Sequence, residues 1–119
     1  MGMITEWKTC TYQRRYFEMF AVISTNRIVG NVSLYEHSRN VASAVVEICS
    51  NERRKGYASE TVAALLKYAA KKGYRIILDQ VRKDNPASIR LHEKLGFESD
   101  DYIYRNQKNN EVLLYLKLL

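Results

Sequence analysis

The sequence predicts one α+β domain, in which a mixed, mostly antiparallel sheet is flanked by helices. Three observations support this prediction. One stretch carries the 3.6-residue apolar period of a helix and another has an Asn-Pro helix start followed by a glycine stop. Stretches rich in β-branched and aromatic residues surround them, and a length of 119 residues fits a single hydrophobic core. We see no linker or internal repeat, and therefore expect residues 1–119 to form a single domain.

The chain is predicted to open its sheet with a hairpin. Tyr16–Ser24 and Ile28–Tyr35 are rich in β-branched and aromatic residues, and Thr25–Arg27 between them has turn chemistry. Met1–Arg15 is polar and aromatic without a clear period. For that stretch the sequence leaves a short helix and an irregular lead-in as alternatives.

A parallel strand pair is predicted in the middle of the chain. Val41–Cys49 has the composition of a third strand, and Arg75–Val81 that of a fourth. Between them, Tyr57–Lys72 carries apolar residues at helical spacing and is followed by Gly73, a common helix stop. Because a helix connects the two strands, a right-handed crossover would place them parallel.

The last third of the chain predicts a second helix and a closing hairpin. In Asn85–Leu95, the asparagine can cap the helix and Pro86 at the first helical position sacrifices no bonded N–H. Gly96 ends the helix. Phe97–Arg105 and Glu111–Leu119 then form the two arms of the hairpin.

Composition narrows the kind of partner and site. The formal charge of +6 favours an anionic partner, such as a nucleotide-containing cofactor or a nucleic acid. Basic residues are too scattered to favour nucleic acid, and no apolar run is long enough to span a membrane, so we expect neither partner. Cys10 and Cys49 have no metal-binding spacing, so we expect no metal and a reducing cytoplasm.

The strongest local signal is the basic, glycine-containing segment Arg53–Ser59, which lies between a predicted buried strand and a predicted helix. Exposed amides at a helix start carry partial positive charge, and Arg53, Arg54 and Lys55 add whole charges beside them. This order of parts suits a phosphorylated ligand. A basic glycine turn also simply starts helices, so this segment alone leaves both interpretations open.

A second motif makes the combination specific. Arg53-Arg54-Lys55-Gly56-Tyr57-Ala58 resembles the cofactor loop of the GNAT superfamily of acetyl-CoA-dependent N-acetyltransferases, and the segment from Asn85 to Leu95-Gly96-Phe97 resembles its later helix. The likeness is greatest to the branch that contains ribosomal-protein N-terminal and small-amine acetyltransferases. It implies a three-layer α/β/α fold with one splayed parallel strand pair, and direct transfer of acetyl from acetyl-CoA to a primary amine in a ternary complex.

The resemblance also implies which residues bind acetyl-CoA. The edges of Val46 and Ile48 would pair with the pantetheine amides, the loop would bind the pyrophosphate, and Asn85 and Ser88 would lie along the pantetheine arm. The full set is Val46, Ile48, Arg53, Arg54, Lys55, Gly56, Tyr57, Ala58, Ser59, Asn85 and Ser88. Arg90 and Lys94 lie one helical turn apart and are interpreted as an exposed basic face rather than as phosphate ligands.

Two residues are candidates for the proton transfers. His92 occupies the position where many family members place a tyrosine that protonates the leaving thiolate, although a packed histidine is the alternative. Glu47 is the carboxylate nearest the cofactor loop in sequence, but its side chain is expected to face away from Val46 and Ile48. Gln80 stands where the ribosomal branch has a glutamate base, which leaves a water-mediated route open.

The acceptor side is the least defined part of the sequence. Family members usually carry a strand and two helices before the hairpin, where this chain has only Met1–Arg15. The acceptor site would then be an open groove or would be completed by a second copy in a homodimer. A non-catalytic acyl-CoA-binding or sensing module is the alternative function.

Overall fold

The computed structural model describes residues 3–12, 15–53 and 55–119, with side chains from residue 18 onward. These residues form a mixed sheet and two α-helices. The elements, in chain order, are β1 (Met3–Tyr12), β2 (Arg15–Ser24), β3 (Arg27–Ser38), β4 (Val41–Ile48), a 3-10 turn (Ser50–Glu52), α1 (Tyr57–Lys72), β5 (Ile76–Arg82), α2 (Pro86–Lys94), β6 (Glu98–Ser99), β7 (Tyr104–Arg105) and β8 (Glu111–Leu118).

The sheet has the order β1-β2-β3-β4-β5-β8-β6, with β7 also paired to β8. Every described pairing is antiparallel except that of β4 with β5. The predicted α+β class, the mostly antiparallel sheet and the single parallel pair are therefore confirmed. The helix α1 connects the two parallel strands, as the crossover argument requires.

The first hairpin forms where the sequence predicts it. Thr25 and Asn26 have positive φ angles of 51° and 62°, the backbone that a tight two-residue hairpin turn needs. The prediction for the segment before this hairpin was wrong. This segment forms β1, a ten-residue strand, and neither a helix nor an irregular lead-in. Pairing with β2 satisfies the backbone of β1, and such tertiary pairing overrides a weak local pattern.

Helix α1 has the predicted bounds, Tyr57–Lys72, and its apolar residues face the sheet. Leu65 and Ala69 are buried against a core that includes Leu34 and Ala42. Gly73 ends the helix with φ at 102°, a conformation that a residue with a Cβ adopts only at a cost.

Both described helices cover the same face of the sheet. Ala42 and Ile77 are paired in register and lie in the core beneath α1, and Asp79, two residues after Ile77, faces the same side and contacts α2. The two helices of the described residues thus form one layer on one face of the sheet. A three-layer α/β/α fold has a helical layer on each face. On the opposite face, Val45 and Leu116 are exposed.

The closing hairpin is shorter than predicted in its first arm. The predicted arm Phe97–Arg105 is divided into β6 and β7, because the chain leaves the sheet at residues 100–103. The Ser99 hydroxyl accepts a hydrogen bond from the N–H of Asp101, and Asp100 Oδ1 accepts one from the N–H of Tyr102. Such local side-chain bonds compete with strand pairing.

No helix in the described part of the chain is long and apolar enough to cross a membrane.

Candidate functional site

A gap opens between the parallel strands β4 and β5. Their register is limited to Val41 with Ile76 and Ala42 with Ile77, although the strands continue to Ile48 and Arg82. Beyond the paired residues, the edge of β4 that faces β5 lacks a continuous backbone partner. An unpaired strand edge can form hydrogen bonds with an extended ligand.

Side chains of β4 alternate as predicted along this gap. Ile48 is buried and Val46 is partly buried on the helix-covered face, whereas Glu47 is exposed on the other. Gln80 of β5 is also exposed. The candidate base Glu47 therefore lies on the face opposite to the helices.

The loop after β4 is held by a buried carboxylate. Glu52 is only 5% exposed and pairs with Arg27 at 2.7 Å and with Lys55 at 2.9 Å. The hydrogen bond from Lys55 is the main reason that the pKa of Glu52 lies below its ordinary value, although burial acts in the opposite direction. Arg53 donates from Nε to the carbonyl of Ile48 at 3.1 Å, which ties the loop to the end of β4. The predicted loop residue Arg54 lies outside the described residues.

Helix α1 begins directly after this loop without a side-chain cap. Gly56 precedes the helix with φ at 83°, and a Cβ added there would meet no other atom within 4 Å. The next residues, Tyr57, Ala58 and Ser59, are partly buried. Because the first N–H groups of a helix have no partners within it, this start presents hydrogen-bond donors and a positive dipole end to an anion.

Helix α2 begins differently. Asn85 is its N-cap, and its Oδ1 accepts a hydrogen bond from the N–H of Ser88 at 3.1 Å. The two residues predicted to lie along the pantetheine thus bond to each other. At the other end of α2, Lys94 Nζ lies 3.4 Å from Ser59 Oγ, so α2 ends beside the start of α1, while Arg90 is exposed.

The structure brings His92 together with Asp79, a residue that the sequence analysis did not select. His92 Nε2 lies 2.8 Å from Asp79 Oδ2, and Nδ1 lies 2.8 Å from the carbonyl oxygen of Ser88. The imidazole also packs against Phe97 and Tyr115, with ring centroids 4.8 Å and 5.6 Å away. His92 is therefore both packed in the core and next to the gap.

The charge of His92 follows from these partners. Burial lowers its pKa, but the hydrogen bond to Asp79, the bond to the Ser88 carbonyl and the negative charge of Asp79 together raise it above the ordinary value. Each nitrogen faces an oxygen that accepts a hydrogen bond, which the doubly protonated imidazolium satisfies.

A sequence signal for Asp79 did exist. In β5 the buried residues alternate as Ile77, Asp79 and Val81. A carboxylate on a core-facing position requires a buried partner, and His92 on the following helix is such a partner.

The opposite face has a polar contact that the sequence did not indicate. Ser43 Oγ donates to the carbonyl of Leu78 across the two parallel strands, and His37 Nε2 lies 2.5 Å from the same hydroxyl. This contact bridges β4 and β5 immediately after their last paired residues.

Cys49, at the end of β4, is exposed. Among the residues that the structure describes, no three His, Cys, Asp or Glu side chains are grouped closely enough to hold a metal ion.

Comparisons with known proteins identify the family of this chain. A family model described as an acetyltransferase (GNAT) domain matches residues 2–98. An SPbeta prophage-derived uncharacterized N-acetyltransferase of Bacillus subtilis (strain 168), YokL, is 33% identical over 95 residues, which are 77% of this chain and 54% of the relative. The chain thus spans about half the length of the curated relative it matches.

Solved structures share the fold at lower identity. A ribosomal-protein-alanine N-acetyltransferase from Brucella melitensis has a TM-score of 0.78 at 23% identity, with 87% of this chain and 69% of that one covered. A spermidine N-acetyltransferase from Vibrio cholerae, in complex with CoA and spermine, has a TM-score of 0.76 at 22% identity, with coverages of 86% and 65%.

Proposed function

The chain belongs to the GNAT family of acetyltransferases, and we propose that it transfers an acetyl group from acetyl-CoA to a primary amine. The observation that supports this most directly is the continuity of three parts. The gap beside β4 leads into the loop held by Glu52, and the loop leads into the uncapped start of α1. An extended arm and a pyrophosphate, linked as they are in CoA, match these parts in order.

In this proposal the backbone edges of Val46 and Ile48 bind the pantetheine amides, and the amides of the loop and the first turn of α1 bind the pyrophosphate. The absence of any atom near a Cβ at Gly56 supports close approach of a phosphate there. Arg53 supports the loop through its bond to Ile48. Asn85 and Ser88 lie along the pantetheine arm in this proposal. The Asn85 side chain is already used to cap α2, through its bond to the N–H of Ser88.

The reaction requires a neutral amine, a polarised thioester carbonyl and a proton for the leaving thiolate. Acetyl-CoA supplies the activated acetyl group. We propose Glu47, exposed on the face without helices, as the group that accepts the amine proton, directly or through water. We propose His92 as the source of the thiolate proton, since its partners favour the imidazolium.

The acceptor is proposed only as a class. The neighbours named above act on spermidine and on a ribosomal-protein alanine, and both kinds of acceptor present an amine. A homodimer in which a second copy completes the acceptor side is part of this proposal. Another structure of the spermidine N-acetyltransferase from Vibrio cholerae is described as dodecameric.

A non-catalytic acyl-CoA-binding module is the second candidate. It is favoured by Gln80, which is exposed on β5 and cannot act as a base. The candidate base Glu47 lies on the neighbouring strand β4 and not at the position of Gln80. This candidate keeps the whole donor site and omits the transfer.

One experiment separates the two functions. Acetyl-CoA and CoA are titrated calorimetrically into the protein, and thiol release is then followed with spermidine, with lysine and with a peptide that has a free N-terminal alanine. We expect micromolar binding and release that depends on one of these acceptors. Binding without release on any acceptor supports the module, and no binding of either ligand contradicts both functions.

A further inference from the structure

The Asp79 carboxylate connects three elements at the point where β4 and β5 separate. Its Oδ1 accepts a hydrogen bond from the N–H of Ala44 on β4 at 2.9 Å, and its Oδ2 pairs with His92 Nε2 on α2 at 2.8 Å. Asp79 itself belongs to β5. Its exposed fraction is 4%, so water does not replace these bonds easily.

These contacts replace the next rung of the strand pairing. Backbone register between β4 and β5 ends at Ala42 and Ile77. Two residues farther along each strand, the side chain of Asp79 takes the Ala44 N–H that strand pairing would otherwise bind. Because this link runs through the Asp79 side chain and not directly from N–H to carbonyl, it connects the two strands at a larger separation than backbone pairing would allow.

His92 extends the same link to α2. Its second nitrogen is bonded to the Ser88 carbonyl within α2, and its ring is held between Phe97 and Tyr115. Other polar groups near the ring are the Ser88 hydroxyl, 3.5 Å from Nδ1, and Tyr115, whose hydroxyl is 3.5 Å from Glu93. The ring has little freedom to rotate, and it fixes α2 relative to β5.

We infer that Asp79 is a positioning residue that sets the width of the gap between β4 and β5 and fixes α2 beside it. This inference rests on the proposed function, since the gap is the proposed pantetheine site. The role is geometric, because it depends on an oxygen that accepts from Ala44 and a second polar atom that bonds to His92.

The geometry distinguishes Asp79→Asn from Asp79→Ala. An asparagine keeps an oxygen for the Ala44 N–H, and its amide donates to Nε2 of a neutral His92 that retains its proton on Nδ1. We expect Asp79→Asn to bind acetyl-CoA within about threefold of the wild-type affinity, and Asp79→Ala to bind at least about tenfold more weakly. Asp84→Asn is the matched control, because Asp84 is an exposed carboxylate that pairs with Arg82. This variant should bind acetyl-CoA with the wild-type affinity.

Amide hydrogen exchange in the ligand-free protein supplies a test that does not depend on acetyl-CoA. The Ala44 N–H should exchange slowly in the wild type and in Asp79→Asn, and at least about tenfold faster in Asp79→Ala. If the wild type fails to bind acetyl-CoA, the proposed function fails while this exchange test still decides the inference.

Folded Asp79→Asn that loses more than about tenfold in affinity, or that loses the protection of Ala44, overturns the inference, because charge rather than geometry would then be essential. If Asp79→Ala does not fold, Asp79→Asn alone decides. A pH titration of the His92 ring by NMR measures how Asp79→Asn changes the interaction between residue 79 and His92. The histidine should titrate at lower pH in Asp79→Asn than in the wild type, and an unchanged titration would contradict the contact itself.

Discussion

The two helices of this protein begin in opposite ways. Helix α2 has a conventional start, in which Asn85 caps the N–H of Ser88 and Pro86 occupies the first turn. Helix α1 follows Gly56 and has no side-chain cap. Replacing a capping side chain by glycine costs only a few tenths of a kcal/mol, so the start of α1 at Gly56 costs little stability while leaving its first N–H groups open to a ligand.

The neighbourhood of each helix start agrees with this difference. Before α1, Glu52 is buried and binds Arg27 and Lys55, which orders the loop without covering Gly56. Before α2, exposed Asp84 pairs with Arg82. A helix start that is open and follows an ion-paired loop residue is suited to binding a ligand, while a start closed by its own cap is suited to a structural role.

The largest expected effect is at the open start. In Gly56→Glu, a carboxylate would stand where the pyrophosphate is proposed, so we expect acetyl-CoA affinity to fall by at least about 100-fold, or roughly 3 kcal/mol. Calorimetric titration measures it.

Gly73→Glu is its matched control, because Gly73 also has a positive φ and open space around it but lies at the far end of α1. Both variants should lose about 1–2 kcal/mol of stability from backbone strain. Unchanged affinity in Gly56→Glu would contradict the loop assignment.

A medium effect is expected at the capped start. Asn85→Ala removes the bond to the Ser88 N–H, which should lower the free energy of unfolding by about 1 kcal/mol and the Tm by about 4 °C. Asn85→Ser retains a capping hydroxyl and should restore most of this loss. Thermal unfolding followed by circular dichroism measures both variants.

Affinity for acetyl-CoA should change by less than about threefold in either Asn85 variant, because the lost bond lies within the helix. A large loss of affinity at unchanged Tm would instead make the Asn85 side chain a ligand of the cofactor.

The smallest effect is expected for the contact between the two helices. Lys94 and Ser59 are linked by an exposed bond of 3.4 Å, and Lys94→Ala should change stability by less than about 0.5 kcal/mol. Acetyl-CoA affinity should stay within about twofold of the wild type, with exposed Arg90→Ala as the comparison. A tenfold loss restricted to Lys94→Ala would show that Lys94 binds a phosphate.

The sequence by itself determined the parts of this protein that depend on short-range order. Helical periodicity defined α1 from Tyr57 to Lys72, and glycine and proline chemistry defined its end and the start of α2. These features act within a few residues, so they can be recognised in any chain. The order of strand, helix and strand then predicted the parallel pair.

Only the tertiary structure decided how the gap is built. Asp79 meets Ala44 and His92, which lie 35 and 13 residues away in sequence, and no local pattern specifies such distances. The strand β1 also depends on tertiary structure, because a stretch with no clear hydrophobic period becomes a strand only by pairing with β2. Backbone and buried polar groups must find partners wherever the fold supplies them, and a linear sequence does not state where that is.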